Sequence, residues 1–168
     1  MNELSITVRR VDTCDGPNDY ITSLDPDLVF RHGLPPEAII GVLQRSLESG
    51  EAIAPSNFFL VNPLFVDFMH KLIARRGPEL PGLIEEAARQ GSGWVYVIDQ
   101  RTPTPQDGVP PEDIVGAFEI KYGQVIPASY QANPKHSILT ENGFFSLGPA
   151  LQPCLLEELA ALPGNANS

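Results

Sequence analysis

The segment from residue 93 to residue 145 constrains the fold most, because it contains four short runs that favour β-strands. Residues 94–98 are all aromatic or β-branched, and such side chains pack well on a pleated surface. Residues 114–120 alternate between two faces, as a strand with one face in the core does. This concentration of strand-forming sequence predicts that a β-sheet lies at the centre of the fold.

Two turn signals indicate how these runs connect. Tyr122-Gly123 can turn the chain into a third strand at 125–130. Pro127 lies within that run, and because proline donates no backbone hydrogen bond, the third strand should lie at a sheet edge or break there. Asn142-Gly143 is a strong hairpin signal between two short apolar runs. These two short turns predict antiparallel pairing of the strands that they join.

Helices are predicted on both sides of this segment. Asn62 as a cap and Pro63 at the first helical position mark a helix over 63–76. Apolar residues at helical spacing predict further helices at 35–50 and 81–90, and a last helix that carries Leu151, Leu155, Leu159 and Leu162. Pro153 should lie in the first turn of that last helix, because an interior proline costs about 3 kcal/mol.

The order of these elements predicts the fold class. Residues 4–10 alternate between apolar and polar side chains and predict a half-buried strand, and residues 24–33 predict one helical turn. Strands and helices come in blocks and not in strict alternation, which is typical of an α+β fold. We therefore expect a mostly antiparallel sheet, formed by the 94–145 region plus the N-terminal strand, packed against about four helices. One domain over residues 1–163 and a flexible tail at 164–168 are expected.

Composition narrows the class of function. Of 168 residues, 42% are hydrophobic and 19% are charged, which is typical of a folded globular protein. Twenty-one acidic and 11 basic side chains give a net charge of −10. This charge repels phosphate backbones and anionic membranes, so it argues against nucleic-acid or membrane binding and favours a basic protein partner. No apolar signal core follows Met1, and a cytoplasmic location is expected.

Motifs for cofactors and metals are weak. Cys14 and Cys154 form no CxxC pair, and the three histidines, His32, His70 and His136, are far apart in sequence. We find neither a glycine-rich phosphate loop after a strand nor a Gly-x-Ser-x-Gly elbow. The sequence therefore predicts no metal and no cofactor.

Six carboxylates are the predicted contacts to a basic partner. They come from two stretches that the sequence predicts to be surface loops, 12–19 and 101–113, and they are Asp12, Asp15, Asp19, Asp107, Glu112 and Asp113. Prolines hold the second loop in extended conformations, which lowers the entropy lost on docking. We expect Asp107, Glu112 and Asp113 to be exposed to solvent in the free protein.

Asp99, Arg101 and His136 form an alternative candidate site. Asp99 and Arg101 lie where the first central strand leaves the sheet, a common position for functional side chains, and His136 follows Asn133-Pro134 in a loop. A carboxylate that orients an imidazole could support acid–base chemistry. The competing interpretation is an Asp–Arg ion pair that holds the long loop.

Three stretches carry a resemblance to a known class of protein. They are GWVYVID at 93–99, VPPEDIVGAFE at 109–119 and SYQANP at 129–134. Over roughly residues 93–168 the chain resembles the small acidic immunity proteins that bacteria encode beside secreted polymorphic toxins. The resemblance implies a cytosolic inhibitor that blocks the active site of a cognate toxin, toxins that degrade NAD being one such kind. It implies no catalytic residues.

Three hypotheses for function follow. The first is a non-enzymatic inhibitor of a basic protein partner, a toxin domain by the resemblance. The second is a small enzyme or ligand-binding domain, for which Asp99, Arg101 and His136 should converge within hydrogen-bond reach in a concave pocket. The third is a subunit of a larger complex, which would expose apolar patches. The oligomeric state stays open.

Overall fold

The computed structural model describes residues 6–14, 16–43, 47–48, 51, 53–55, 59–101 and 109–162. These residues form an α+β fold with four α-helices and ten strands, and the predicted fold class is confirmed. The helices are α1 (Pro26–His32), α2 (Pro63–Arg76), α3 (Pro81–Gln90) and α4 (Gly148–Ala160). The strands are β1 (Thr7–Thr13), β2 (Gly16–Thr22), β3 (Ile39–Leu43), β4 (Phe59–Val61), β5 (Gly93–Ile98), β6 (Ile114–Lys121), β7 (Gln124–Val125), β8 (Gln131–Ala132), β9 (Leu139–Thr140) and β10 (Gly143–Phe144).

The strands divide into two four-stranded antiparallel sheets and one small hairpin. The first sheet has the order β1-β2-β3-β4. In the second, β5 pairs with β6, and β6 pairs on its other side with both β7 and β8. Strands β9 and β10 pair only with each other among the described residues. The N-terminal strand therefore lies in a different sheet from the strands of the 94–145 region.

The turns of the second half follow the sequence signals. Tyr122 and Gly123 connect β6 to β7, both with positive φ (53° and 72°), which is the left-handed conformation that glycine adopts readily. The returning strand breaks at Pro127, where a 3-10 turn over Pro127–Ser129 separates β7 from β8. Gly143 pairs with Thr140 in the last hairpin, so its loop is Glu141-Asn142, one residue earlier than the Asn-Gly signal indicates.

Helix α2 begins where its cap predicts. The Asn62 side chain accepts a hydrogen bond from the Leu64 N–H, and its amide group donates to the carbonyls of Pro36 and Ile39. The cap therefore attaches α2 to the start of β3. Helix α3 matches its predicted range, and α1 fits the predicted turn within 24–33. Pro153, however, lies inside α4, so its predicted place in the first turn is wrong; Pro149 holds that early position instead.

The helix predicted over 35–50 is wrong in the part that the structure describes. Residues 36–38 form a 3-10 turn and Ile39–Leu43 form β3, while 44–46 and 49–50 lie outside the described residues. The spacing of Ile39, Ile40 and Leu43 suits a helix, but β-branched residues around Gly41 disfavour one. Pairing with β2 and β4 on both sides decides in favour of a strand.

The core lies between the sheets and the two longest helices. Its buried side chains include residues of α2 (Phe65, Met69, Leu72 and Ile73), of α4 (Leu151, Leu155 and Leu159) and of the inner face of the second sheet (Val95, Val97, Phe118 and Ile120). At the end of α2, a Cβ on Gly77 would lie 2.4 Å from the Phe118 ring, so only glycine permits this close approach. Strands β5 and β6 therefore have one face against the helices and one face outward.

Candidate functional site

Asp99, Arg101 and His136 do converge. The His136 Nε2 atom lies 2.9 Å from Asp99 Oδ2, and Arg101 Nη2 lies 3.1 Å from the same oxygen. A fourth residue joins them, because Arg101 Nε lies 2.9 Å from Asp113 Oδ1. The Asp99 N–H also donates to the Asp113 carbonyl, which fixes the end of β5 against the start of β6. We call these four residues the buried cluster.

The guanidinium of Arg101 connects distant parts of the chain. It donates to the carbonyls of Glu112, Ser137, Ile138 and Gly143. Asp99 Oδ1 accepts from the backbone N–H groups of Arg101 and Ser146. The cluster therefore joins the end of β5 to the segment before β6, to the His136 loop and to the last hairpin.

All four side chains of the buried cluster are almost completely removed from solvent. Asp99 is 0% exposed, Asp113 is 1% exposed, and Arg101 and His136 are each 2% exposed. A cavity of about 260 Å³ touches His136, but its other lining residues (Val61, Val66, Ser137, Ile138 and Leu139) lie outside the cluster. The convergence is confirmed, yet the geometry is that of an ion-pair network holding loops together.

A second polar pair lies beneath the second sheet. The Tyr130 hydroxyl is 2.7 Å from His70 Nδ1, and the Tyr130 ring packs on Phe118 with centroids 4.9 Å apart. Burial, together with the nearby His136, lowers the pKa of His70 to about 4, and burial raises the pKa of Tyr130. His70 is therefore neutral at pH 7 and can exchange a hydrogen bond with the tyrosine hydroxyl.

The six carboxylates predicted to contact a partner differ in exposure and in pairing. Within the stretch 12–19, residues 12–13 belong to β1 and residues 16–19 to β2, so the loop prediction is wrong for these residues. Asp19 is 8% exposed and is paired with Arg10 at 2.9 Å, because the antiparallel register places the two residues opposite each other. Asp12 is exposed, as is Glu112. The expectation that Asp113 is exposed is wrong, since it is paired with Arg101 inside the protein. Asp15 and Asp107 lie outside the described residues.

The outward face of the second sheet is apolar and open. Trp94 is 38% exposed, Tyr96 is 55% exposed and Ile98 is 40% exposed, while the intervening Val95 and Val97 are buried. The register places these three side chains beside Glu119, Ala117 and Ile114 of β6. A shallow cavity of about 350 Å³ on this side touches Tyr96, Ile114 and Ala117. We call Trp94, Tyr96, Ile98, Ile114 and Ala117 the aromatic face.

Sequence reasoning assigned no function to the aromatic face, although its residues were recognised as a strand. A run that is apolar on both faces, such as residues 94–98, is typical of a strand covered on both sides. Only the fold reveals that helices cover one side of β5 and that the other side is open. Contiguous exposed apolar side chains of this kind mark interaction surfaces.

The described residues contain no group of three or more His, Cys, Asp or Glu side chains placed to hold a metal ion. None of the helices within the described ranges is long and apolar enough to cross a membrane. Comparisons of the chain with protein-family models, with curated proteins and with solved structures found no match.

Proposed function

We propose that this protein is a non-enzymatic inhibitor that binds a basic protein partner through the aromatic face and covers the partner's active site. The observation that carries the proposal is the side-by-side exposure of Trp94, Tyr96 and Ile98 on one strand. By the resemblance given above, the partner is a bacterial toxin domain and the protein is of the immunity type.

The aromatic face has the properties of an energetic centre of an interface. Tryptophan and tyrosine are enriched among the residues that contribute most to protein–protein affinity. Their strand is held by the buried Val95 and Val97 on its inner side and by pairing with β6. A preformed surface loses little conformational entropy on binding, so more of the gross interaction energy becomes affinity.

Charge supplies the preference for a basic partner. The net charge of −10 attracts a positively charged protein over long distances and speeds association. Glu119 lies next to Trp94 across the β5–β6 pair, and Glu112 at the entrance to β6 is exposed. The exposed Glu112 is available to a basic partner, whereas Glu119 already lies 3.9 Å from Lys121.

The alternative, a small enzyme or ligand-binding domain, has less support. Its candidate residues Asp99, Arg101 and His136 are sealed from solvent. A substrate could reach Asp99 or Arg101 only if the carbonyl contacts of Arg101 broke. The same interactions account for a structural role without any ligand.

The test uses the protein encoded beside this chain in its genome. We expect that cells producing that protein stop growing, that co-production of this chain restores growth, and that calorimetry shows one-to-one binding. Tyr96→Ser should weaken binding at least about tenfold with little change in melting temperature, because Tyr96 is half exposed. Phe30→Ser is the matched control, since Phe30 is an 81% exposed aromatic residue on α1, outside the second sheet.

Two results would contradict the proposal. One is the absence of binding and of protection in this assay. The other is an equal loss of binding in the Tyr96→Ser and Phe30→Ser proteins, which would place the interface away from the aromatic face.

A further inference from the structure

Strand β5 lies at an open edge of the second sheet. One side of it pairs with β6 from Gly93 to Ile98, and no described strand pairs with the other side. An edge of this kind presents unpaired backbone N–H and C=O groups. Natural proteins usually protect such edges with lysine, proline or a covering element. Between Gly93 and Ile98 there is no proline and no charged side chain.

The hydrogen bonds of β6 show which residues of β5 face this edge. The Glu119 carbonyl accepts from the Ile126 N–H, and the Glu119 N–H donates to Ser129 Oγ, so the Glu119 backbone points away from β5. In an antiparallel pair, the residue opposite such a position also points its backbone away from the partner strand. Trp94 is opposite Glu119, and its N–H and C=O therefore point to the open edge.

The same reasoning applies two residues later. Ala117 pairs with Gln131 of β8, and the Val115 carbonyl accepts from the Asn133 N–H. Tyr96, which is opposite Ala117, therefore also directs its N–H and C=O to the open edge. The edge closes just beyond Ile98, where the Gln100 N–H donates to the Ser146 carbonyl. The open length thus coincides with the three residues of β5 that belong to the aromatic face.

A groove of about 320 Å³ lies beside this edge. It is lined by β5 itself and by the first turns of α3 and α4, and its apolar walls include Leu80, Leu83, Leu147 and Leu151. A strand placed next to β5 would direct alternate side chains to the inner side of the sheet, where this groove lies. The remaining side chains would lie on the outer side, next to Trp94 and Tyr96.

We propose that the partner supplies an extended segment that adds to β5 as a further strand, with apolar and basic side chains in alternation; this rests on the proposed function above. The apolar side chains fill the groove, and the Lys or Arg side chains lie against the Trp94 and Tyr96 rings, which attract cations. The net charge of −10 favours such a segment. It opposes a second copy of this chain, which would bring the same charge to the same edge.

A synthetic probe tests the inference directly. The probe is a nine-residue peptide that alternates lysine with valine or isoleucine, and it is titrated against the whole protein. Trp94 is the only tryptophan, so its fluorescence reports events at this edge. We expect saturable binding and slower amide hydrogen exchange at Trp94 and Tyr96. Methylating the peptide amides that face β5 should weaken binding at least about tenfold, since it removes the strand hydrogen bonds. Replacing its lysines with glutamates should do the same.

Two substitutions at one position separate strand addition from side-chain contact alone. Tyr96→Ala removes the ring, whereas Tyr96→Pro also removes the edge-facing N–H without removing a hydrogen bond to β6. We expect Tyr96→Pro to weaken peptide binding at least about fivefold more than Tyr96→Ala. Melting temperatures identify any loss of folding, and the methylated peptide provides the same comparison on the unaltered protein.

Strand addition is overturned if the methylated peptide binds as tightly as the parent, if Trp94 and Tyr96 exchange equally fast with and without peptide, or if no binding occurs at millimolar peptide. Sedimentation that reveals dimers joined at β5 also overturns it, because the occupant is then a second copy. If the neighbouring protein binds and Tyr96→Ala and Tyr96→Pro weaken that binding equally, the proposed function stands and strand addition fails. If the peptide binds but the chain does not protect cells from the neighbouring protein, strand addition stands and the proposed function fails.

Discussion

Strand β5 and the residue that directly follows it differ in how completely their side-chain interactions are satisfied. Ile98 ends the aromatic face of β5, and the next residue, Asp99, belongs to the buried cluster. The cluster consists of ionisable side chains that lie inside the protein, where each has partners at close range. The aromatic face includes three large apolar side chains, Trp94, Tyr96 and Ile98, that are 38%, 55% and 40% exposed. The usual distribution of residue types is thus reversed at this point of the fold.

This difference separates a structural role from the proposed binding role. Buried charges are tolerated only when partners compensate for lost hydration, and the close ion pairs and hydrogen bonds of the buried cluster supply that compensation. Exposed aromatic side chains retain the free energy that burial would release, about 25 cal/mol per Å² of apolar surface. Of these two regions, the aromatic face is therefore the one that would gain free energy if a partner covered it. Changes in the two regions should affect different measurements.

The largest expected effect follows from removing the positive charge of the buried cluster. Arg101→Met leaves Asp99 and Asp113 buried without their cation, and uncompensated buried charges of this kind cost about 3–5 kcal/mol. We expect urea unfolding to show a loss of that size, and we expect Arg101→Lys to lose less. A variant as stable as the parent protein would contradict the structural role of the cluster.

A smaller effect is expected from two neighbouring carboxylates that differ in burial. Asp113 is 1% exposed and lies 2.9 Å from Arg101 Nε, whereas the adjacent Glu112 side chain is exposed. Asp113→Asn should lower the free energy of unfolding by about 1–3 kcal/mol, because a charge-assisted interaction is lost in the interior. Glu112→Gln should change it by less than about 0.5 kcal/mol. Equal losses of stability in the two variants would contradict the burial of Asp113 and the exposure of Glu112.

The two faces of β6 allow a similar comparison with apolar substitutions. A Cβ on Gly116 would lie 2.4 Å from the Tyr130 hydroxyl on the inner side. Gly116→Ala should therefore cost about 1–3 kcal/mol through overpacking. Ala117 lies on the aromatic face beside a cavity of about 350 Å³, and Ala117→Val should change stability by less than about 0.5 kcal/mol. Thermal melts of both proteins check the prediction, which fails if the outer substitution is the more harmful.

A further effect is a pH dependence that originates inside the protein. The pKa of His70 falls from an ordinary value of 6.5 to about 4 on folding, mainly through burial. Between these two values the unfolded chain binds a proton that the folded chain does not, so stability should fall as pH decreases from 6.5 to 4. Urea unfolding at several pH values should give a smaller slope for His70→Gln than for the parent protein. Identical slopes would assign the acid sensitivity to other groups.

The helices whose ends have strong local signals could be predicted from sequence. Asn62 and Pro63 define the start of α2 because a cap and a proline act within one turn, and Gly91 ends α3 in the same way. The segment around Ile40 could not be predicted, since its apolar spacing suits a helix and only pairing with β2 and β4 makes it a strand. The sequence therefore predicts an element when the interactions that fix it are made by neighbouring residues of the chain.

The candidate site likewise has features that the sequence predicts and features that only the fold determines. That Asp99 and His136 approach each other could be expected from their places at the end of a strand and in a nearby loop. Their burial could not, because it results from backbone carbonyls and from Asp113, which the chain brings to Arg101 from the far side of a loop. The exposure of Tyr96 likewise depends on which face of the sheet the helices cover, a property of the whole fold.

The buried cluster also has a consequence for engineering the chain. Residues 102–108 connect Arg101 to the segment before β6, and the described contacts hold both ends of that connection: Arg101 binds the Glu112 carbonyl, and Asp99 binds Asp113 through the backbone. Because these contacts hold both ends, an inserted segment starts and finishes at fixed points, and closing a longer flexible segment costs about 0.6 kcal/mol for each doubling of its length. The interval between Arg101 and Val109 is therefore a natural place to insert an affinity tag or a reporter domain while β5 and its open edge keep their geometry.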